Sequence, residues 1–230
     1  MLKRMLTVLG MLAALAAFAA GGDKGRKVVP DETGADAVDL QALVDQAPDG
    51  GTVVVPSGRH LVARGLVVQG RKNLTIRGDR NSAVRVSDVM QNVIAISESE
   101  GIRLENLSLS HVSPLKDYQC HGAVVHVSDS SRVVVENCEL NGCGASGVHA
   151  VGVNDLTVKR CHIHHNTFNA FYLDRCSKVL VQANLVENNA NFMNLHQSDD
   201  LDMSDNVTRN NGGYWRPAMP APPGSGKKRD

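Results

Sequence analysis

The chain has 230 residues, a formal net charge of zero and 3% aromatic residues. That length allows one well-buried domain or one solenoid, and the balanced charge excludes a strong electrostatic pull toward nucleic acid or anionic membrane. Scarce aromatics, 21 glycines and β-branched residues in short clusters point to β-structure with many turns.

Residues 1–20 form a separate segment. Lys3 and Arg4 precede an apolar run from Met5 to Phe18, and Ala17-Phe18-Ala19 has the small-residue pattern of a cleavage site. This reads as a secretory signal peptide. The run of about 15 apolar residues is shorter than the ~20 a spanning helix needs. No second apolar stretch follows, and no cysteine sits at the cleavage site. The expected mature protein is therefore periplasmic or secreted, without membrane insertion. Residues 21–34 read as an N-terminal linker, 35–215 as the folded domain and 216–230, rich in Pro and Gly with a basic end, as a disordered C-terminal tail.

The domain is a repeat. SRVVVENCELNGCGASGVHAVGV from Ser131 aligns with NDLTVKRCHIHHNTFNAFYLDRC from Asn154, SKVLVQANLVENNANFMNLHQS from Ser177 and DDLDMSDNVTRNN from Asp199, at spacings of 23, 23 and 22 residues. GIRLENLSLSH from Gly101 and KNLTIRGDRNSAVRV from Lys72 extend the pattern upstream. Its columns are coherent: Val133, Leu156, Val179 and Leu201; Val135, Val158, Val181 and Met203; Leu140, Ile163, Val186 and Thr208. Each repeat holds three short strands of alternating pattern separated by turns. One coil cannot bury its apolar face alone, whereas stacked coils enclose a continuous core. The expected fold is all-β, a parallel β-helix solenoid of about seven coils.

Asn166, Asn189 and Asn211 share a column, as do Asn184 and Asn206. At a strand spacing of about 4.8 Å these side chains can hydrogen-bond up the stack, a structural role. Cys120 and Cys143 stand one coil apart, which suits a disulfide in an exported protein. Cys138 and Cys161 form either a buried stack or a second bridge, and Cys176 is left over.

These columns resemble the right-handed parallel β-helix proteins of the broad pectate-lyase-like group, over about residues 35 to 211. The resemblance implies a short N-terminal capping helix in ADAVDLQALVDQAPDGG from Ala35. There Leu40, Leu43, Val44 and Ala47 would face the open end of the core, with Asp39 as N-cap. It implies no single activity, because the group includes lyases, hydrolases, epimerases and non-enzymatic binders.

The third strand of each coil offers the best candidate site. Val125, Val148, Phe171 and Met193 point inward, followed by Val127, Ala150, Leu173 and Leu195. The residue between them points outward. That column reads Ala95, His126, His149, Tyr172, Asn194, and the next outward column ends in Asp174 and His196. A longer coil, HVSPLKDYQCHG, would place Lys116, Tyr118 and His121 beside this stripe. The rung spacing suits an extended linear ligand, so the expected partner is a polysaccharide or cell-envelope component. Stacked histidines alone do not make a metal site, and neither metal nor cofactor is expected. His162 and His164, flanking inward Ile163, read as a solvated face.

Three activities can be weighed against these residues. A glycosidase needs two carboxylates at the scissile bond; the stripe offers Asp174. A lyase or epimerase acting on a uronate polymer needs a carboxylate-neutralising group and a base. Asn194, His126, His149 and Tyr172 are suitable types, but no acidic cluster or Arg base accompanies them. A binder needs only the polar, aromatic-bearing face. Carbohydrate or envelope binding is the preferred reading, with lyase or epimerase activity and a purely structural or accessory periplasmic role as alternatives.

Overall fold

The computed structural model describes residues 38–79, 81–112, 121–142 and 145–212. The expected signal peptide, linker and tail lie outside these residues, as do Lys116, Tyr118, Cys120 and Cys143.

The chain opens with the helix Leu40–Gln46. Asp39 caps it, its carboxylate accepting from the Ala42 N–H at 3.0 Å, and so satisfies one orphan donor of the first turn. Leu40 and Val44, four residues apart on one face, are both 1% exposed, and Ala47 packs beside them. Leu43 departs from expectation and is exposed.

Among the described residues twenty strands follow, in three parallel sheets. The first sheet contains Thr52–Val54, Thr75–Arg77, Arg103–Glu105, Ser131–Glu136, Asn154–Lys159, Ser177–Gln182 and Leu201–Ser204. The second contains Gly58–Val62, Ser82–Val86, Ser108–His111, Glu139–Asn141, His162–His164, Leu185–Glu187 and Val207–Arg209. The third contains Leu66–Gln69, Ile94–Ser97, Val125–Ser128, Ser146–Val151, Asn169–Asp174 and Asn191–His196. The register is the one the repeat demanded: Val133 pairs Leu156, Leu156 pairs Val179, and Val179 pairs Leu201. On the second sheet Leu140 pairs Ile163, Ile163 pairs Val186, and Val186 pairs Thr208.

Alternation then sets burial. Val125, Val127, Val148, Ala150, Phe171 and Leu173 are fully buried in one core that also takes in Leu40 and Val44. The core weakens at its C-terminal end. Leu195 and Met203 occupy inward columns yet are 44% and 38% exposed, since no further coil stacks on them among the described residues.

The turns repeat too. Asn106, Asn137, Arg160, Ala183 and Asp205 hold φ between 52° and 58° at the bend from first to second sheet. This left-handed conformation carries a steric cost for any residue with a Cβ. Beside that bend Asn184 accepts from the Cys161 N–H at 2.9 Å and gives its own amide to Asn206. At the next corner Asn189, fully buried, accepts from the Asn166 N–H and the Asn166 side chain at 3.1 and 2.8 Å. It donates to Asn211, Ile163 O and Glu187 O. Cys138, Cys161 and Cys176 are free and buried. The first two belong to a buried stack, and the alternative of a second bridge does not hold.

Two stability changes follow. Asn189→Ala strands two buried donors of Asn166 and should destabilise by about 3 kcal/mol in denaturant unfolding; a loss under about 1 kcal/mol would show the ladder to be incidental. Ala183→Gly relieves a left-handed alanine and should stabilise by about 0.5–1 kcal/mol in the same assay; a destabilisation would count against that strain.

Candidate functional site

The third sheet carries the expected stripe. His126 pairs His149, His149 pairs Tyr172, and Tyr172 pairs Asn194 in register. Ala95 and Val67 continue the column toward the N-terminus. In the neighbouring outward column Val151 pairs Asp174, and Asp174 pairs His196. The rings form a ladder: His126 to His149 is 5.1 Å between centroids, His149 to Tyr172 is 4.5 Å and Tyr172 to His196 is 5.5 Å. Successive rings are tilted to one another by 42° to 54°. Asn194 and His196 are exposed, while His126, His149 and Tyr172 are half-buried by their neighbours. His121 is exposed upstream of His126.

Burial controls the protonation of this ladder. It pushes the His126 imidazole below its ordinary 6.5. At His149 burial acts first and His126 adds to it, against the opposing pull of Asp174. Asp174 itself is tied to Arg175 at 2.6 Å. At neutral pH His126 and His149 therefore present uncharged donors, acceptors and ring faces. Among the described residues the stripe's two columns bring no second carboxylate to Asp174.

The second sheet holds a polar constellation where the sequence pattern predicts a solvated face. Glu139 pairs His162, and His164 pairs Glu187. His162 is half-buried, but His164 is 7% exposed and so is not solvated. Its ring stacks on His162 at 4.0 Å and meets His165 edge-on at 4.9 Å. His164 Nε2 shares a hydrogen bond with Glu139 Oε1 at 3.2 Å, and the Ser108 hydroxyl donates to Glu139 Oε2 at 2.7 Å. His162 Nε2 lies 3.1 Å from Glu187 Oε1. The His164 hydrogen bond, opposed by burial and helped by Ser108, holds the Glu139 carboxyl at about 2. The signal was present in the repeat. Glu139 stands one 23-residue step before His162, and Glu187 stands one step after His164. Reading the histidines without their vertical neighbours hid the carboxylates.

A pH dependence follows for the stripe. The unfolded chain binds protons at these two histidines near pH 6.5, and the folded chain only at lower pH. Stability present above pH 6.5 is thus lost as pH falls toward the folded midpoints. The melting temperature should drop between about pH 7.5 and 5.5, and His149→Asn should flatten that slope. Nuclear magnetic resonance titration should give both imidazoles midpoints below 6.5; midpoints at or above it would contradict the burial.

Comparisons with known proteins agree with this architecture. Residues 92–215 match the family model of the right handed beta helix region. Among solved structures, a proposed glycosyl hydrolase from Parabacteroides merdae superposes with a TM-score of 0.59 at 12% identity, covering 74% of this chain and 86% of its own. An alginate lyase from Paenibacillus sp. gives 0.48 at 18% identity, with 75% and 72% covered. A surface adhesin of Streptococcus pneumoniae gives 0.39 at 11% identity, with 74% and 67% covered. At such identities the likeness to the Parabacteroides protein is one of fold and carries no activity across. No curated protein matches the chain. The family match spans more than half of the sequence, and the parallel sheets described above are its architecture: the chain belongs to the right-handed β-helix family.

Proposed function

We propose that this is an exported β-helix protein that binds an extended polysaccharide or cell-envelope glycan along the third sheet. Residues 1–20 would serve as its cleaved signal peptide, 35–215 as its binding domain and 216–230 as its tail. The observation that carries the reading is the ring ladder His126–His149–Tyr172–His196, with centroid steps of 5.1, 4.5 and 5.5 Å. Sugar rings have apolar faces that pack on aromatic faces and hydroxyls that need donors and acceptors at their edges. Neutral imidazoles, a phenol, Asn194 and Asp174 supply both along one line. Lys116, Tyr118 and His121 would extend the contact from the long coil. Half-buried rings held by a sheet lose little entropy on binding, which favours a shallow surface as a binder.

A second reading is a polysaccharide lyase or epimerase working on a uronate polymer. It draws on the 4.5 Å approach of His149 and Tyr172 and on the depressed imidazole of His149. An unprotonated imidazole can accept the proton next to the uronate carboxyl, while Asn194 hydrogen-bonds that carboxylate.

The test is affinity electrophoresis and calorimetry of the mature protein against a panel of polyuronates and neutral glycans. One class should be retained, and His149→Ala/Tyr172→Ala should weaken it by at least about tenfold, or about 1.4 kcal/mol, without a change in circular dichroism. Retention that is unaffected by the double substitution would remove the stripe from the site. Ultraviolet absorbance from an unsaturated product, abolished by Tyr172→Phe and His149→Ala, would select the lyase instead.

A further inference from the structure

The second sheet carries a titratable cluster that the stripe does not use. One ligand-capable atom from each of Glu139, His162 and His164 lies within 4.8 Å of the other two. Glu139 Oε1 and His164 Nε2 are 3.2 Å apart. Two donors on a tetrahedral zinc, with bonds of about 2.1 Å, stand about 3.4 Å apart. This pair is therefore already at ligand spacing, and the stacked His162 ring sits 4.0 Å from its His164 neighbour. Strand geometry explains the convergence. His162 and His164 are two residues apart on one face of one strand, and Glu139 reaches them from the adjacent rung.

The proton arrangement points the same way. His164 Nδ1 and His165 Nδ1 are 2.6 Å apart, so one of them carries the shared proton. With the proton on His165, His164 Nε2–H donates to Glu139, and a metal ion takes the place of that hydrogen and releases it to solvent.

We propose that Glu139, His162 and His164 form a site for a divalent transition-metal ion, zinc, bound through one carboxylate oxygen and two imidazole nitrogens. Two nitrogens and one oxygen suit zinc, whereas calcium and magnesium take oxygen cages. Glu187, 3.1 Å from His162 Nε2, and His165, at 2.6 Å from His164 Nδ1, are the partners that orient the two rings. Three protein ligands leave a fourth position for water or an oxygen donor. The site faces outward on the second sheet and needs no residue of the third-sheet stripe.

The experiment is equilibrium dialysis of the untagged protein with zinc, with absorption spectra of cobalt as a reporter of ligand geometry. One zinc per chain is expected, together with four-coordinate cobalt bands and a melting temperature raised by zinc. His162→Gln and Glu139→Gln change side chains at the sheet surface. Each should weaken zinc at least about tenfold and remove the zinc-dependent rise in melting temperature. His126→Asn/His149→Asn should bind zinc as the wild type does. Absence of stoichiometric binding overturns the proposal. So does zinc affinity equal in wild type, His162→Gln and Glu139→Gln, which would place the ion elsewhere among the nine histidines.

Discussion

The parallel hydrogen-bond ladder between coils is the constraint on which every other feature rests. It holds neighbouring strands about 4.8 Å apart and keeps equivalent residues of successive coils one above another. A side chain in this protein is therefore defined less by its sequence neighbours than by the residue one repeat away. Val133 packs with Leu156, Asn166 bonds Asn189, and His126 meets His149 because the ladder places them there. A slip of one residue would send every inward valine to solvent and every outward imidazole into the core.

That stacking multiplies whatever chemistry a column contains. Inside, apolar columns close into one core, and polar ones must bond along the stack because no water reaches them. Asn189 shows how complete this bonding is, with partners above, below and on the backbone of the preceding coil. Outside, the same multiplication brings ionisable groups to within one rung. On the first sheet Glu136 sits among Arg103, Lys159 and Arg160, pairing with all three. Exposed pairs of this kind add little stability each, but they fix how the face is charged.

The two histidine surfaces show that neighbours, rather than residue type, decide the chemistry. On the third sheet the imidazoles stack with one another and with Tyr172, and burial keeps His126 and His149 uncharged. On the second sheet His162 and His164 face the carboxylates of Glu187 and Glu139. The first arrangement is a neutral face of rings and hydrogen-bonding edges. The second joins nitrogen donors to anionic oxygen, a combination suited to a cation.

The amino-acid sequence by itself determined the repeat length, the inward and outward columns and the line His126–His149–Tyr172–Asn194. Periodicity is a one-dimensional property, and once strands alternate and coils stack, register follows from counting. The asparagine ladders were legible for the same reason. Only the tertiary structure decided what depends on how side chains lean and what covers them. His164 is buried although its column points outward, because the His162 and His165 rings close over it and Glu139 bonds its edge. Leu195 and Met203 are exposed although their columns point inward, because burial in a solenoid requires a coil on both sides and none follows among the described residues. Leu43 leaves the helix face that Leu40 and Val44 share, since a cap covers the end of the stack with a single helical stripe. Pattern specifies direction, whereas burial and contact depend on neighbours brought together from the preceding and following turns of the chain.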